Sequence, residues 1–221
     1  MTDTSVRVNI GAKQRILDAA EKLICDLGID ATSLRQITTA AEVNLAAVNY
    51  HFQSKDELVR AVYSRRLRPI NEERLALLDR LEQTHAGQPV PLDSLLDAFY
   101  LPVIAAAERL AAQGVAMAKM MGRIYTDPHP AVDGLFTEEI APVAARFNHA
   151  FGKALPHLTP KEVFWRMYLS VGLLAHAIGS ARKITLVSSN VCNGNNMTEV
   201  LSQIKAFARA GFCAPSEEEK V

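Results

Sequence analysis

Apolar residues recur at three- and four-residue intervals along nearly the whole chain, and almost no run alternates long enough to make a β-strand. Ile16, Ala20, Leu23, Ile24 and Leu27 fall on one helical face, and Gly28 stands where a helix C-cap belongs. Thr32 and Ser33, with Gln36 three residues after Ser33, form the pattern of a capping box, and Leu34, Ile37 and Ala41 line a short second helix behind it. After a turn at Glu42–Val43, Asn44 can cap a third short helix from Leu45 to His51. Ser54-Lys55-Asp56-Glu57 is a second capping box, and it opens a long helix that runs towards residue 82.

Gly87, Pro89 and Pro91 break that helix. The next spans Asp93 to about Ala112, with Pro102 as a kink. A shorter one covers Val115 to Tyr125 and ends near Asp127-Pro128-His129-Pro130. Phe136, Ile140, Val143, Phe147 and Phe151 mark another by their 3.6-residue spacing. Thr159-Pro160-Lys161-Glu162 joins a cap, a proline at the first helical position and a closing glutamate, so a helix is expected from there to about Ile184. Ser188 to Asn196 reads as a loop, and Asn196 with Glu199 caps a last helix to about Gly211. The expectation is an all-α chain of about nine helices. Residues 1–56 would form an N-terminal arm and helix-turn-helix headpiece, 57–214 a helical body entered through a connecting helix at 57–82, and 215–221 a frayed tail.

Composition narrows the class without naming the function. Hydrophobic residues make up 49% of 221, enough for a folded core. The 24 basic and 24 acidic side chains cancel, which argues against a histone-like coat of positive charge. A small nucleic-acid footprint needs only a few placed cations and amides, and residues 1–68 carry 10 Lys/Arg against 8 Asp/Glu. Cys25, Cys192 and Cys213 have no metal-ligand spacing and suit a reducing cytosol. The first residues lack a signal peptide's apolar core, and Met167 to Ala181 is too short to span a bilayer. A cytoplasmic protein with no membrane contact and no cofactor or metal is expected.

Within the three short helices, Val43, Val48, Leu34 and Ile37 supply a small core. Asn44, Leu45, Ala46, Ala47 and Asn49 are then left on an outer face whose small side chains admit close approach to a major groove. Asn49 can bond a base edge, most naturally adenine, while Leu45 or Ala46 touches a thymine methyl. Tyr50, His51 and Lys55 follow within a turn and can hold phosphate oxygens. Two solvated helices of an ordinary bundle would share the generic pattern.

The residues Thr32-Ser33-Leu34-Arg35-Gln36-Ile37, Ala41 to Phe52 and Ser54-Lys55-Asp56-Glu57-Leu58 resemble the headpiece of the TetR family of repressors, with Tyr50-His51-Phe52-x-Ser54-Lys55 the most specific part. The resemblance covers about 50 residues and implies double-stranded DNA as partner. It places Ser33 and Arg35 near phosphates or bases, Asn44 to Asn49 on bases, and Tyr50, His51 and Lys55 on the backbone. Arg7 and Lys13 could reach DNA from the arm, although a solvated arm is the better expectation. Glu42 departs from the family, which usually has glycine there; a glutamate at positive φ costs about 1 kcal/mol.

Family members act as homodimers on palindromic operators. Helix 159–184 is apolar nearly all round, with Gly172, Ala175 and Gly179 as a smooth strip, and Val200, Leu201, Ile204, Phe207 and Phe212 follow on the last helix. A four-helix interface is one way to cover them, and burial within the chain is another. Met117, Met120 and Met121 suit an adaptable apolar cavity, and Phe99, Phe147, Phe151, Trp165 and Tyr168 could line it or be plain core. The headpiece motif and the segment Leu158 to Leu174 are similar to the fatty-acid-responsive, PsrA-like branch of the family. That likeness implies a small lipophilic effector, with Lys119, Arg123 or Arg166 for its carboxylate.

Catalysis finds little support. Glu138, Glu139 and His149 have neither HExxH nor paired-carboxylate spacing, and His129 and His157 stand beside prolines. The rival to a DNA-binding regulator is a helical adaptor for a protein partner, with DNA binding secondary or lost; Glu42 is the feature that favours it.

Overall fold

A computed structural model describes residues 4–112 and 129–217, with side chains over 11–111 and 129–217. These residues are helical nearly throughout, and no strand occurs among them. Helix α1 is Thr4–Leu27, α2 Leu34–Ala40, α3 Leu45–Phe52, α4 Lys55–Thr84 and α5 Leu92–Ala112. Helix α6 is Pro130–Leu135, followed by a π-helical turn at Phe136–Ile140. Then come α7 at Ala141–Ala154, α8 at Pro160–Gly179, α9 at Ala181–Val187 and α10 at Met197–Cys213. The expected helix at Val115–Tyr125 lies outside the described residues, as do Met117, Lys119, Met120, Met121 and Arg123.

The start signals act as the sequence predicts. The Gln36 N–H donates to Ser33 Oγ at 3.2 Å and the Ser33 N–H donates back to Gln36 Oε1 at 2.7 Å, closing the box. The Ala47 N–H donates to Asn44 Oδ1 at 2.9 Å, and the Glu57 N–H to Ser54 Oγ at 3.1 Å. Thr159 with Glu162, and Asn196 with the Glu199 N–H, cap α8 and α10 in the same way. Each such cap stabilises its helix by about 1 kcal/mol. Gly28 ends α1 at φ +94°, with its N–H donating to Ile24 O at 2.9 Å.

Two boundaries and one helix type differ from expectation. Helix α1 begins at Thr4, so the backbone at Arg7 is helical rather than a loose arm; the Arg7 side chain lies outside the described residues. The helix expected from 159 to 184 stops at Gly179 and restarts at Ala181. Gly179 and Ser180 are weak helix formers, and Ser180 Oγ donates to His176 O at 2.6 Å, competing with the helical ladder. Phe136–Ile140 carries the right spacing for an α-helix but winds as π.

The chain forms two compact units. The first holds residues 4–68 and 129–139, so the three short helices share a unit with the start of α4 and the α6 segment. Helix α1 packs on α2 and α3, which pack on each other, around Ile16, Ala20, Ile24, Ile37, Ala41, Val48 and Phe52. The second unit packs α5 against α7 and α10, and α8 against α7 and α10. At its centre Phe99 meets Phe147 at 5.0 Å between ring centroids, and Phe151 stacks on Phe212 at 4.7 Å. Emptying one such buried ring to alanine would cost about 3–5 kcal/mol.

The candidate nucleic-acid interface

Eight residues are too few for a helix to persist alone in water, so α3 must be held by its neighbours. Val48 and Phe52 do this, buried against α1 and α2. Ile37 and Ala41 are buried with them, while Leu34 and Val43, expected in the same core, are half-buried. The opposite face is open: Asn44, Leu45, Ala46 and Asn49 are exposed, Ala47 is half-buried, and Tyr50 is 72% exposed. An exposed leucine and tyrosine beside two asparagines give a surface of small, apolar and hydrogen-bonding groups.

The entry to α3 has the strain anticipated from its sequence. Glu42 sits at φ +53°, a left-handed conformation that disfavours a side chain. The turn nevertheless closes, with the Val43 N–H donating to Thr38 O at 3.0 Å. At the other end Gln53 is left-handed too, at φ +56°.

Cations are divided between fastening and exposure. Arg65 pairs with the buried Glu21 and with Asp18 at 2.6 Å, and Arg66 Nε donates to Glu21 at 2.9 Å, fixing α1 to α4. Arg60 pairs with Glu138 at 2.5 Å, and Arg68 and Ser64 with Glu139 at 2.6 and 3.2 Å. The two carboxylates weighed for catalysis are thus held in ion pairs. Arg35 is exposed and Lys55 half-buried, and neither enters an ion pair among the described residues. Lys13 is exposed, with its ammonium 5.9 Å from the centre of the Phe52 ring.

Two positions differ in detail from the sequence reading. The Ser33 hydroxyl is occupied in its capping box, donating to Gln36 Oε1 at 2.8 Å. His51 lies edge-on to Tyr50 at 5.1 Å, and its Nε2 is buried without a hydrogen-bond partner among the described residues, so that nitrogen does not reach the surface.

In the second unit Phe99, Phe147 and Phe151 are buried together, but Trp165 and Tyr168 are not with them. Those two are 56% and 52% exposed on the outer face of α8, because Val163, Met167, Ser170 and Leu174 occupy its inner face. Arg166 is engaged within the chain. Its guanidinium donates to the carbonyls of Gly211, Phe212, Ala214 and Pro215 at 2.7–3.2 Å, closing the end of α10. Residues 215–217, expected to fray, are tied down with it: Ser216 is buried, and its hydroxyl donates to Glu162 at 2.8 Å. The N–H groups of Thr159 and Glu217, then the Ser216 hydroxyl, lower the Glu162 carboxyl to about 2.

Of the residues expected at a dimer contact, Gly172 and Gly179 are exposed and Phe207 is 67% exposed, while Ala175 and Leu201 are half-buried. Ile204 belongs to the chain's own core, since α10 turns Ile204, Ala208 and Phe212 inward. Phe164 and Leu169, which the sequence reading passed over, are exposed beside Trp165 and Tyr168. Their signal was the all-round apolarity of the helix, which does not say which face is left open.

The likenesses to known proteins agree with this architecture. A model described as bacterial regulatory proteins, tetR family, matches residues 16–62, and one described as tetracyclin repressor-like, C-terminal domain, matches residues 97–211, more than half of the chain. The nicotine-responsive transcriptional repressor HdnoR of Paenarthrobacter nicotinovorans is 32% identical over 77 residues, which are 35% of this chain and 40% of that protein. A tetR family transcription regulator from Shewanella sp. PV-4 superposes with a TM-score of 0.58 at 16% identity, over 91% of this chain and 95% of its own. GusR of Salmonella enterica gives 0.54 at 18% identity, over 92% and 96%. At those identities the two structures speak for the fold.

Proposed function

This chain belongs to the tetR family of bacterial regulatory proteins, a family of transcriptional regulators rather than enzymes, and on that premise we propose that it is a homodimeric repressor of a palindromic operator, released by a small lipophilic effector. The observation that carries the reading is the open face of α3: Asn44, Leu45, Ala46, Asn49 and Tyr50 exposed on a helix whose back is fixed by Val48 and Phe52. In this account Asn49 bonds an adenine edge, Leu45 and Ala46 pack on thymine methyls, and Tyr50, Lys55 and Arg35 hold phosphates. Ser33 contributes its place at the start of α2, and His51 stands behind Tyr50 and orients it.

The dimer would use the exposed strip of α8 (Trp165, Tyr168, Gly172, Gly179) with Phe207 of α10. Large apolar side chains left in water on one face are the usual mark of an interface. Two headpieces would then read half-sites about one helical turn or more apart. The Phe99–Phe147–Phe151 cluster is where an apolar effector would bind. The match to a repressor named as nicotine-responsive supports a small organic effector in general, and the fatty-acid-like alternative rests on the sequence likeness alone. Such a ligand weakens operator binding only by the ratio of its affinities for the two states.

Gel retardation with genomic DNA fragments tests the DNA reading. Asn49→Ala should weaken binding to the best fragment by about 1–3 kcal/mol. Lys55→Ala should weaken all fragments alike and lower the salt slope by about 1. A folded protein that retards no fragment would favour the adaptor instead.

A further inference from the structure

A cleft in the second unit lies apart from the aromatic cluster. It is a half-open cavity of about 320 Å³, lined by Glu82 near the end of α4, by Gly87, Gln88 and Val90 in the turn before α5, and by α7. That volume falls at the lower end of small-molecule sites. Helix α7 presents Arg146, His149, Ala150 and Lys153 to it, and positions 146, 149, 150 and 153 share one helical face. Three of the four carry nitrogen donors, while Val90 and Ala150 are buried and form an apolar floor.

The charges along this cleft are unequally satisfied. Arg146 bonds Asp79 at 2.7 Å and Glu82 at 2.9 Å, but both bonds leave from Nη2. Its Nη1 and Nε donate to no described residue. The two carboxylates therefore hold the guanidinium still, and its single charge offsets one of theirs. His149 and Lys153, both exposed, have no ion-pair or hydrogen-bond partner among the described residues. A fixed guanidinium with N–H groups still open at Nη1 and Nε, an imidazole and an ammonium within two helical turns suit a group with several acceptor oxygens.

We propose that this cleft binds small oxyanions, carboxylate- or phosphate-bearing metabolites whose acceptor oxygens meet Arg146, His149 and Lys153. The site is separate from the proposed effector cluster and does not depend on the DNA reading. Lys153 supplies charge, the His149 imidazole a hydrogen-bonding nitrogen, and Arg146, held by Asp79 and Glu82, supplies direction.

Titration of the full chain, followed by the histidine Cε1–H resonances in solution NMR at constant pH, tests this directly. The His149 signal is identified by its loss in His149→Gln. Inorganic phosphate and citrate are the two probes, each set against sodium chloride at the same ionic strength. A saturable shift of the His149 signal with either probe, and a midpoint raised about tenfold in Lys153→Ala, is the expected result; one charge-assisted bond is about that strong. Saturation by phosphate alone assigns phosphate esters, by citrate alone polycarboxylates, and by both oxyanions at large. A shift that only follows ionic strength, or a Lys153→Ala midpoint equal to the parent's, overturns the proposal. Lys153 is exposed, so its removal leaves the fold intact to be read.

Discussion

Glu42 stands in the turn between α2 and α3 at φ +53°, exposed and left-handed. Among single residues it makes the sharpest prediction, because its strain does not depend on any contact. Glu42→Gly should raise the stability of the headpiece by about 1 kcal/mol, seen as a higher midpoint in denaturant unfolding. Glu42→Ala keeps the left-handed strain and should bring no comparable gain. Equal midpoints for both variants would show that the strain is relieved elsewhere. This position was legible through the resemblance to the TetR headpiece, which usually has glycine there. The burial of His51 Nε2 was not, because it depends on how the Tyr50 and His51 rings settle against each other in space.

Among the elements, α8 shows how far local signals reach. Thr159, Pro160 and Glu162 specify its first turn completely, and the capping box forms as written. Nothing local says that the same Glu162 also receives the Glu217 N–H and the Ser216 hydroxyl, more than fifty residues away. The Glu162 carboxyl is therefore lowered from 4.5 to about 2, first by the Thr159 N–H and next by that of Glu217. A depressed carboxyl stabilises the fold fully above the unfolded value and loses that contribution as pH falls through the folded one. Stability should accordingly decline between about pH 4.5 and pH 2, and Glu162→Gln should flatten the decline over that window. Thermal unfolding of both proteins across the window measures it; parallel curves would mean that the network leaves the carboxyl unshifted. The break at Ser180 has a local cause, yet a Gly-Ser pair does not always stop a helix and the apolar periodicity runs on past it.

At the level of the whole molecule, the all-helical class and the headpiece-first order followed from helical periodicity and capping signals. What periodicity could not decide was which side of an apolar helix faces its own chain. Trp165 and Tyr168 were expected with Phe99 and Phe147 but face outward, and Ile204 was expected outward but faces in. The choice is made by packing of α8 against α7 and α10 and of α10 against α5, contacts between residues far apart in the chain. If the outward strip of α8 and α10 joins two copies, a charge in it should part them. Phe207→Glu is expected to sediment as a monomer at concentrations where the parent is a dimer, with its helical content unchanged. A dimer of undiminished stability would place the interface on another face.

The proposed repressor reads a palindrome with the open face of α3, doubled by a two-fold axis. The most direct measurement is selection of bound sequences from random DNA by the purified protein, beside a triple variant carrying Asn49→Ala, Tyr50→Ala and Lys55→Ala. The parent is expected to enrich one palindromic sequence, and the triple variant, still folded and dimeric, none. No enrichment by a folded, dimeric parent, or the same palindrome from both proteins, would contradict that reading.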